Sequence, residues 1–315
     1  MAAHVPGAGS AARGDREVAW TSAQRDEIGA DRAQSPAEVY EERFVPALFR
    51  PWGSVVSAAA QLEPGQRVLD VACGTGALTE AVCERVQPGG AVIGLDANPE
   101  MLAVARRKHL DAEWREGRAE ALPFTDSSFD AVVSQFGLMF FDDKVQALRE
   151  MVRVLRPGGR LAVAVCDGLD RSAGYAAMAD LLQRLFGSEV ADAFRAPFVL
   201  GDVTLLQALC DRAGIGNAGI ASHDGLVRFD SIDALVSTER ACAWTLGGLL
   251  DDAQFEHLVA EARAALGPFA RGDGRVEFAM PALLITVRRP WARDGISPAG
   301  NGSGRVPGTP RPGWD

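Results

Sequence analysis

Residues 68 to 79 read Val-Leu-Asp-Val-Ala-Cys-Gly-Thr-Gly-Ala-Leu-Thr, an apolar run that meets a glycine pair and then an amphipathic segment. Gly74 and Gly76 lack a Cβ, so the bend can take positive φ and bring backbone N–H groups against a ligand at the start of the next helix. About twenty residues beyond Gly76 stands Asp96, at the end of a second apolar run, Ala91 to Leu95. A carboxylate placed there can accept hydrogen bonds from both hydroxyls of a ribose. A glycine pair alone is common. Strand, turn, helix, strand and acid in one βαβ spacing form a nucleoside cradle.

The same outline serves a nicotinamide dinucleotide and S-adenosylmethionine, and ligand charge separates the two. A dinucleotide fingerprint wants a third glycine where this chain has Thr79, and Asp70 would set a negative charge near the pyrophosphate. S-adenosylmethionine has no phosphate and carries a sulfonium and an ammonium. An acid at Asp70 attracts it, directly or through water.

The elements that must hold these residues follow from hydrophobic period and turn chemistry. Ser35-Pro36-Ala37-Glu38 opens a helix as a capping box, carrying Tyr40 and Phe44, and Pro46 should kink it. Strands are expected at 67–72, 91–96, 112–116, 129–134 and 160–166, with helices at 76–87, 99–109 and 142–155 between them. Alternation of this kind implies a parallel sheet with helices on both faces. Beyond Cys166 the pattern turns helical, at 173–187, 202–213, 231–246 and 251–266, with strands near 218–228 and from Val276 to Val287.

At this point the chain resembles the class I S-adenosylmethionine-dependent methyltransferases, and among them the small-molecule type related to the ubiquinone/menaquinone enzymes. The resemblance rests on the Asp70-Val-Ala-Cys-Gly-Thr-Gly76 signature, Gly94-Leu-Asp-Ala-Asn-Pro-Glu-Met-Leu102, Gly117-Arg-Ala-Glu-Ala-Leu-Pro-Phe124 with Ser128-Phe-Asp130, and Arg153-Val-Leu-Arg-Pro-Gly-Gly-Arg160. It implies a Rossmann-like α/β fold: a doubly wound, mostly parallel seven-stranded sheet with an antiparallel last strand, plus a helical cap around 170–270. It makes 34–289 the catalytic domain, with the N-terminal helix as a lid. It also assigns Asp70, Ala72, Cys73, Gly74 and Gly76 to the methionine part and Asp96 to the ribose. Ala97 and Met101 would contact adenine, and Gln135 and Phe136 would face the sulfonium end.

Two departures stand out. Arg118 occupies a position where relatives commonly carry Asp to accept from the adenine amine, and a guanidinium cannot accept. Either Ala119 and neighbouring backbone then recognise the base alone, or Glu120 takes over, or cofactor affinity is weaker here. Met139 stands where some relatives have a histidine, which removes the obvious base from that loop. Tyr40, Phe44, Met139, Phe140 and His223 remain as acceptor contacts, and no catalytic residue is assigned. After the fifth strand this chain reads Val165-Cys-Asp-Gly168 where the quinone enzymes tend to read Leu-Glu-Phe-Ser, which speaks against quinone synthesis itself.

Composition narrows the acceptor. A net charge of −10 repels phosphate backbones, so a small neutral or cationic metabolite, largely apolar or aromatic, is expected rather than nucleic acid. Five scattered cysteines without a CxxC pair read as reduced core residues in a cytoplasmic protein, not metal ligands. No apolar run approaches the ~18 residues of a membrane span. Residues 1–33 read as a flexible arm, and 290–315, rich in glycine and proline, as a disordered tail. A noncatalytic cofactor-binding subunit and an NAD-linked oxidoreductase are the competing readings.

Overall fold

The computed structural model describes residues 34–242 and 245–291; the expected arm and nearly all of the expected tail lie outside them. By its contacts the chain divides into Met1–Ser35 and Pro36–Asp315, and the fold is that of the second unit.

A seven-stranded sheet runs in the order β3-β2-β1-β4-β5-β9-β6. Its members are β1 (Arg67–Val71), β2 (Ala91–Asp96), β3 (Glu113–Glu116), β4 (Phe129–Gln135), β5 (Leu155–Cys166), β6 (Gly219–His223) and β9 (Ala282–Arg288). The first five are mutually parallel, and β9 lies antiparallel between β5 and β6. The expected doubly wound sheet with one reversed strand is the observed one. The central strands are apolar on both faces because helices cover both: Leu69, Leu95, Phe129 and Leu161 are almost wholly buried. The chain runs outward from β1 through β2 to β3, then returns to place β4 on the other side of β1. That reversal leaves a crevice at the carboxyl ends of β1 and β4, where ligands bind in such sheets.

The helices of this half are α3 (Ala77–Val86), α4 (Pro99–Arg107) and α5 (Lys144–Val154), following the N-terminal stretch α1 (Pro36–Val39) and α2 (Arg50–Ala59). Asn98 caps α4 by accepting from the amides of Glu100 and Met101, as the Asn-Pro pair suggests.

Elsewhere the structure corrects the expectations. Tyr40–Phe49, between α1 and α2, winds as a π-helix rather than a kinked α-helix, and the Arg50 amide reaches back to the Val45 carbonyl. Pro46, which has no N–H to give, is absorbed by this looser winding. The Pro157-Gly158-Gly159 break does not end pairing; β5 runs through it, with a register shift against β4. Gly158, at φ 80°, lets the strand bulge while its amide bonds the Arg289 carbonyl.

The larger correction concerns the two late strands, each of which breaks and shares its halves with the other. β6 pairs with β9, whereas β7 (Leu226–Phe229) pairs with β8 (Val276–Ala279) as a separate two-stranded ribbon. The breaks fall at Gly225 and at Met280-Pro281. A Cβ on Gly225 would sit 2.4 Å from Trp52 and 2.5 Å from the Met280 carbonyl oxygen, so only glycine fits that crossing. The Met280 amide locks it by donating to the Gly225 carbonyl at 2.8 Å.

Among the described residues the later α-helices are α6 (Ala173–Phe186), α7 (Ser188–Arg195), α8 (Val203–Ala213), α9 (Ile232–Ala241) and α10 (Asp252–Ala265). α7 was not foreseen; Gly187, at φ 84°, separates it from α6. α9 stops at Ala241, short of the expected 246. All five cysteines are free, and four are buried. Among the described residues no single helix is long and apolar enough to cross a membrane.

Candidate functional site

The glycine turn is held in its bend by the acid that follows it. Ala72, Gly74 and Gly76 all take positive φ (58°, 55° and 85°), and one Asp96 carboxylate oxygen accepts the Gly74 amide at 2.7 Å. The other accepts the Asn98 amide at 2.8 Å. An ionised carboxylate offers roughly four acceptor positions, so about two stay open for a vicinal diol. Burial pushes the Asp96 carboxyl up from its usual range, and the backbone hydrogen bonds pull against that.

Asp70 occupies a different place from the one expected. It is fully buried behind the turn, outside the cavity wall, and takes the Thr79 hydroxyl at 2.6 Å. Its Oδ1 has no hydrogen-bond partner. Burial raises its pKa from 3.8 to about 7, with the Thr79 bond working the other way. Direct contact with a cationic ligand is thereby removed, and the charge acts only across the turn. Thr79, where a dinucleotide fold wants glycine, is the partner this buried acid needs. Cys73 and Gly76 also stand behind the wall. The Cys73 amide bonds the Leu95 carbonyl, and a Cβ on Gly76 would lie 2.7 Å from the Trp114 ring, so both are packing positions.

A cavity of about 570 Å³ opens in front of the turn at the carboxyl ends of the strands, within the range of small-ligand sites. Ala72, Gly74, Asp96, Ala97 and Met101 line one part of it, and Arg118 and Ala119 stand nearby. Gln135, Phe136, Met139 and Phe140 line the part beyond β4. Gln135 also donates to the Phe49 carbonyl at 3.0 Å, tying the π-helical segment to β4.

That segment supplies Tyr40, Phe44 and Phe49 to the same cavity. In an α-helix, residues nine apart are separated by about two and a half turns and point to opposite sides. The wider π winding brings Phe49 back under Tyr40, with ring centroids 5.2 Å apart, and on to Phe136 at 5.5 Å. The Tyr40 ring hangs over the glycine turn: a Cβ on Gly74 would be 3.9 Å from it.

Arg118 is exposed and turned along the rim, paired with Asp142 and, at 3.5 Å, with Glu120. Glu120 in turn accepts the Asp142 amide at 3.0 Å. His223 is not brought to the cavity. It ends the edge strand β6, exposed, paired with Ala282.

At the far end of the cavity the sequence offers Tyr175 as a weak candidate base but not the residues that line the cavity with it, Cys166, Phe194, Phe198, Glu239 and Met280. Phe194 and Phe198 arrive on the unforeseen α7 and the turn after it. Glu239 had a signal: it lies four residues after Leu235 and three after Val236, on the apolar stripe of α9.

Residues 69–163 match the family model of a methyltransferase domain. The ubiquinone/menaquinone biosynthesis C-methyltransferase of Hahella chejuensis is 47% identical over 122 residues, 37% of this chain and 49% of that protein. A demethylmenaquinone methyltransferase of Renibacterium salmoninarum is 46% identical over 141 residues, 44% of this chain and 58% of that protein. The chain thus spans about half the length of the curated relatives it matches. Among solved structures, the YcgJ protein of Bacillus subtilis superposes with a TM-score of 0.52 at 21% identity, over 76% of this chain and 98% of that one. A putative methyltransferase from an antibiotic biosynthesis pathway of Anabaena variabilis gives 0.54 at 15% identity, over 75% and 97%. Those two likenesses concern the fold; residues 69–163, which carry the glycine turn and its acid, are similar to a methyltransferase domain.

Proposed function

We propose that the protein transfers a methyl group from S-adenosylmethionine to a small, largely apolar or aromatic acceptor. The observation that carries this reading is the single cavity that joins the Gly74–Asp96 cradle to an aromatic chamber. The residues present fit the cofactor. Asp96 has acceptor positions open for ribose hydroxyls, Gly74 leaves clear the space below Tyr40, and Ala97, Met101 and Ala119 offer an apolar bed for the base.

When bound, S-adenosylmethionine supplies an electrophilic methyl group on a positively charged sulfur. The chain's own work is to orient and to exclude water. Tyr40, Phe44 and Phe49 roof the site, Gln135 holds that roof to β4, and Phe136 stands at the reaction end. Fixing two reactants in line can lower a barrier by ~7–11 kcal/mol, so positioning is the main contribution required.

Relatives named for quinone biosynthesis support an aromatic acceptor. The family match spans residues 69–163, the cofactor half, so it leaves the acceptor itself to the chamber's chemistry. The test is calorimetric titration with S-adenosylhomocysteine, followed by transfer of radiolabelled methyl to a panel of phenols, hydroquinones and aromatic amines. Saturable binding with label transfer to a panel member is the expected result. Flat titration heats together with saturation by NADH would overturn the reading.

A further inference from the structure

The far end of the cavity holds an acid that methyl-donor binding leaves unused. Glu239 is 2% exposed, yet it lines the cavity, and its Oε2 has no hydrogen-bond partner. The Thr245 hydroxyl and the Tyr175 phenol stand beside the same carboxyl group and pull its pKa down against burial. Around them stand Cys166, Phe194, Phe198 and Met280, so the carboxyl group is set in apolar surroundings. A carboxyl group placed there carries a desolvation cost that the two hydroxyls offset only in part. Glu239 borders the cavity, and its Oε2 is buried there without a partner.

Its position separates it from the cofactor cradle. Cys166 and Met280 mark the ends of β5 and of the strand pair beyond it, whereas Gly74 and Asp96 follow β1 and β2. Neighbouring strands are spaced by ~4.8 Å, so the ends of β1 and β5, with β4 between them, lie ~10 Å apart. Ligand groups near Glu239 therefore belong to the acceptor.

We propose that Glu239 is the acceptor-binding base of this site: its Oε2 accepts a hydrogen bond from an aromatic or enolic hydroxyl of the acceptor and takes that proton as the acceptor is methylated. The O–H electron pair stays on the acceptor oxygen, which bonds the methyl carbon as the carbon–sulfur pair leaves on sulfur. The proton rests on Glu239 until solvent removes it. Burial raises the Glu239 pKa to about 7, so near neutral pH the group can both take a proton and release it. This assignment rests on the methyl-transfer reading, and it answers the lack of a histidine on the loop after β4.

The test uses a ligand pair that differs only in the hydroxyl, 2-naphthol and naphthalene, bound at pH 8 and followed by their own fluorescence. Wild-type protein should bind 2-naphthol at least tenfold more tightly than naphthalene. Glu239→Leu should bring that ratio below threefold, and Glu239→Gln, which keeps an acceptor oxygen, should fall between them. Affinity for S-adenosylhomocysteine should stay within threefold in both variants. Should the Leu variant fail to fold, the Gln variant decides through the same ratio. Binding of S-adenosylhomocysteine with equal affinity for the two naphthalenes in wild type would overturn this proposal and leave methyl transfer standing. Clear discrimination by wild type with no label transfer to any acceptor would overturn the transfer reading and keep the hydroxyl site.

Discussion

Asp70→Asn should make the ligand-free protein more stable at pH 8 and less so at pH 5. Asp70 is fully buried, with its pKa raised from 3.8 to about 7 by that burial. Between those two values the folded chain keeps a proton that the unfolded chain has released, so stability falls as pH rises through the window. At ~1.4 kcal/mol per pH unit, the loss between pH 5 and 7 comes to about 3 kcal/mol as a ceiling. The amide of Asn can still take the Thr79 hydroxyl on its oxygen, but its NH2 lies where Oδ1 has no partner, costing ~1–3 kcal/mol at every pH. Urea unfolding of both proteins at pH 5, 6, 7 and 8 measures the difference. Glu239, raised in the same direction, contributes equally to both and cancels. The variant should gain about 2–3 kcal/mol relative to wild type from pH 5 to 8. A difference that stays flat across the series would refute the buried-acid argument.

Two further substitutions test the cradle. Asp96→Ala removes the open acceptor positions and frees the Gly74 amide, so S-adenosylhomocysteine should bind at least ~100-fold more weakly, the loss of two charge-assisted bonds of ~1.5–3 kcal/mol each. A calorimetric change under tenfold with unaltered thermal unfolding would contradict the ribose assignment. Arg118→Asp replaces an exposed cation paired with Asp142 and Glu120, and should change cofactor affinity by less than tenfold. A larger gain in titration would mean that the adenine amine lacks an acceptor in the wild-type chain.

The cofactor half was legible because its causes are local. The turn, its acid and the caps of its helices lie within a few dozen residues, and β1, β2 and β4 each carry their own apolar run. Asp70 shows the limit of such reading. Its position in the motif was plain, but whether it faced the ligand or the core depended on Thr79 turning in to meet it. The acceptor half was harder for a related reason. The breaks at Gly225 and Met280 are set by Trp52, which lies far away in sequence and presses on the crossing. The π winding of Tyr40–Phe49 had only Pro46 as a hint, and hydrophobic period could not say which way Phe49 would point. Glu239 was visible as an acid on an apolar stripe, although Tyr175, which stands beside its carboxyl group, comes from another helix.

The exchanged halves of the two late strands bear on how this protein could be re-engineered. The ribbon β7–β8 and the sheet pair β6–β9 are made from the same two stretches of chain, cross-tied at Gly225 and Met280. Met280 at that tie also lines the acceptor chamber. A foreign cap grafted onto this sheet would have to reproduce both crossings, or lose alignment between the chamber and the strands beneath it. Changes of substrate range are accordingly better sought in side chains of α7 and α9, which can vary without cutting either shared thread.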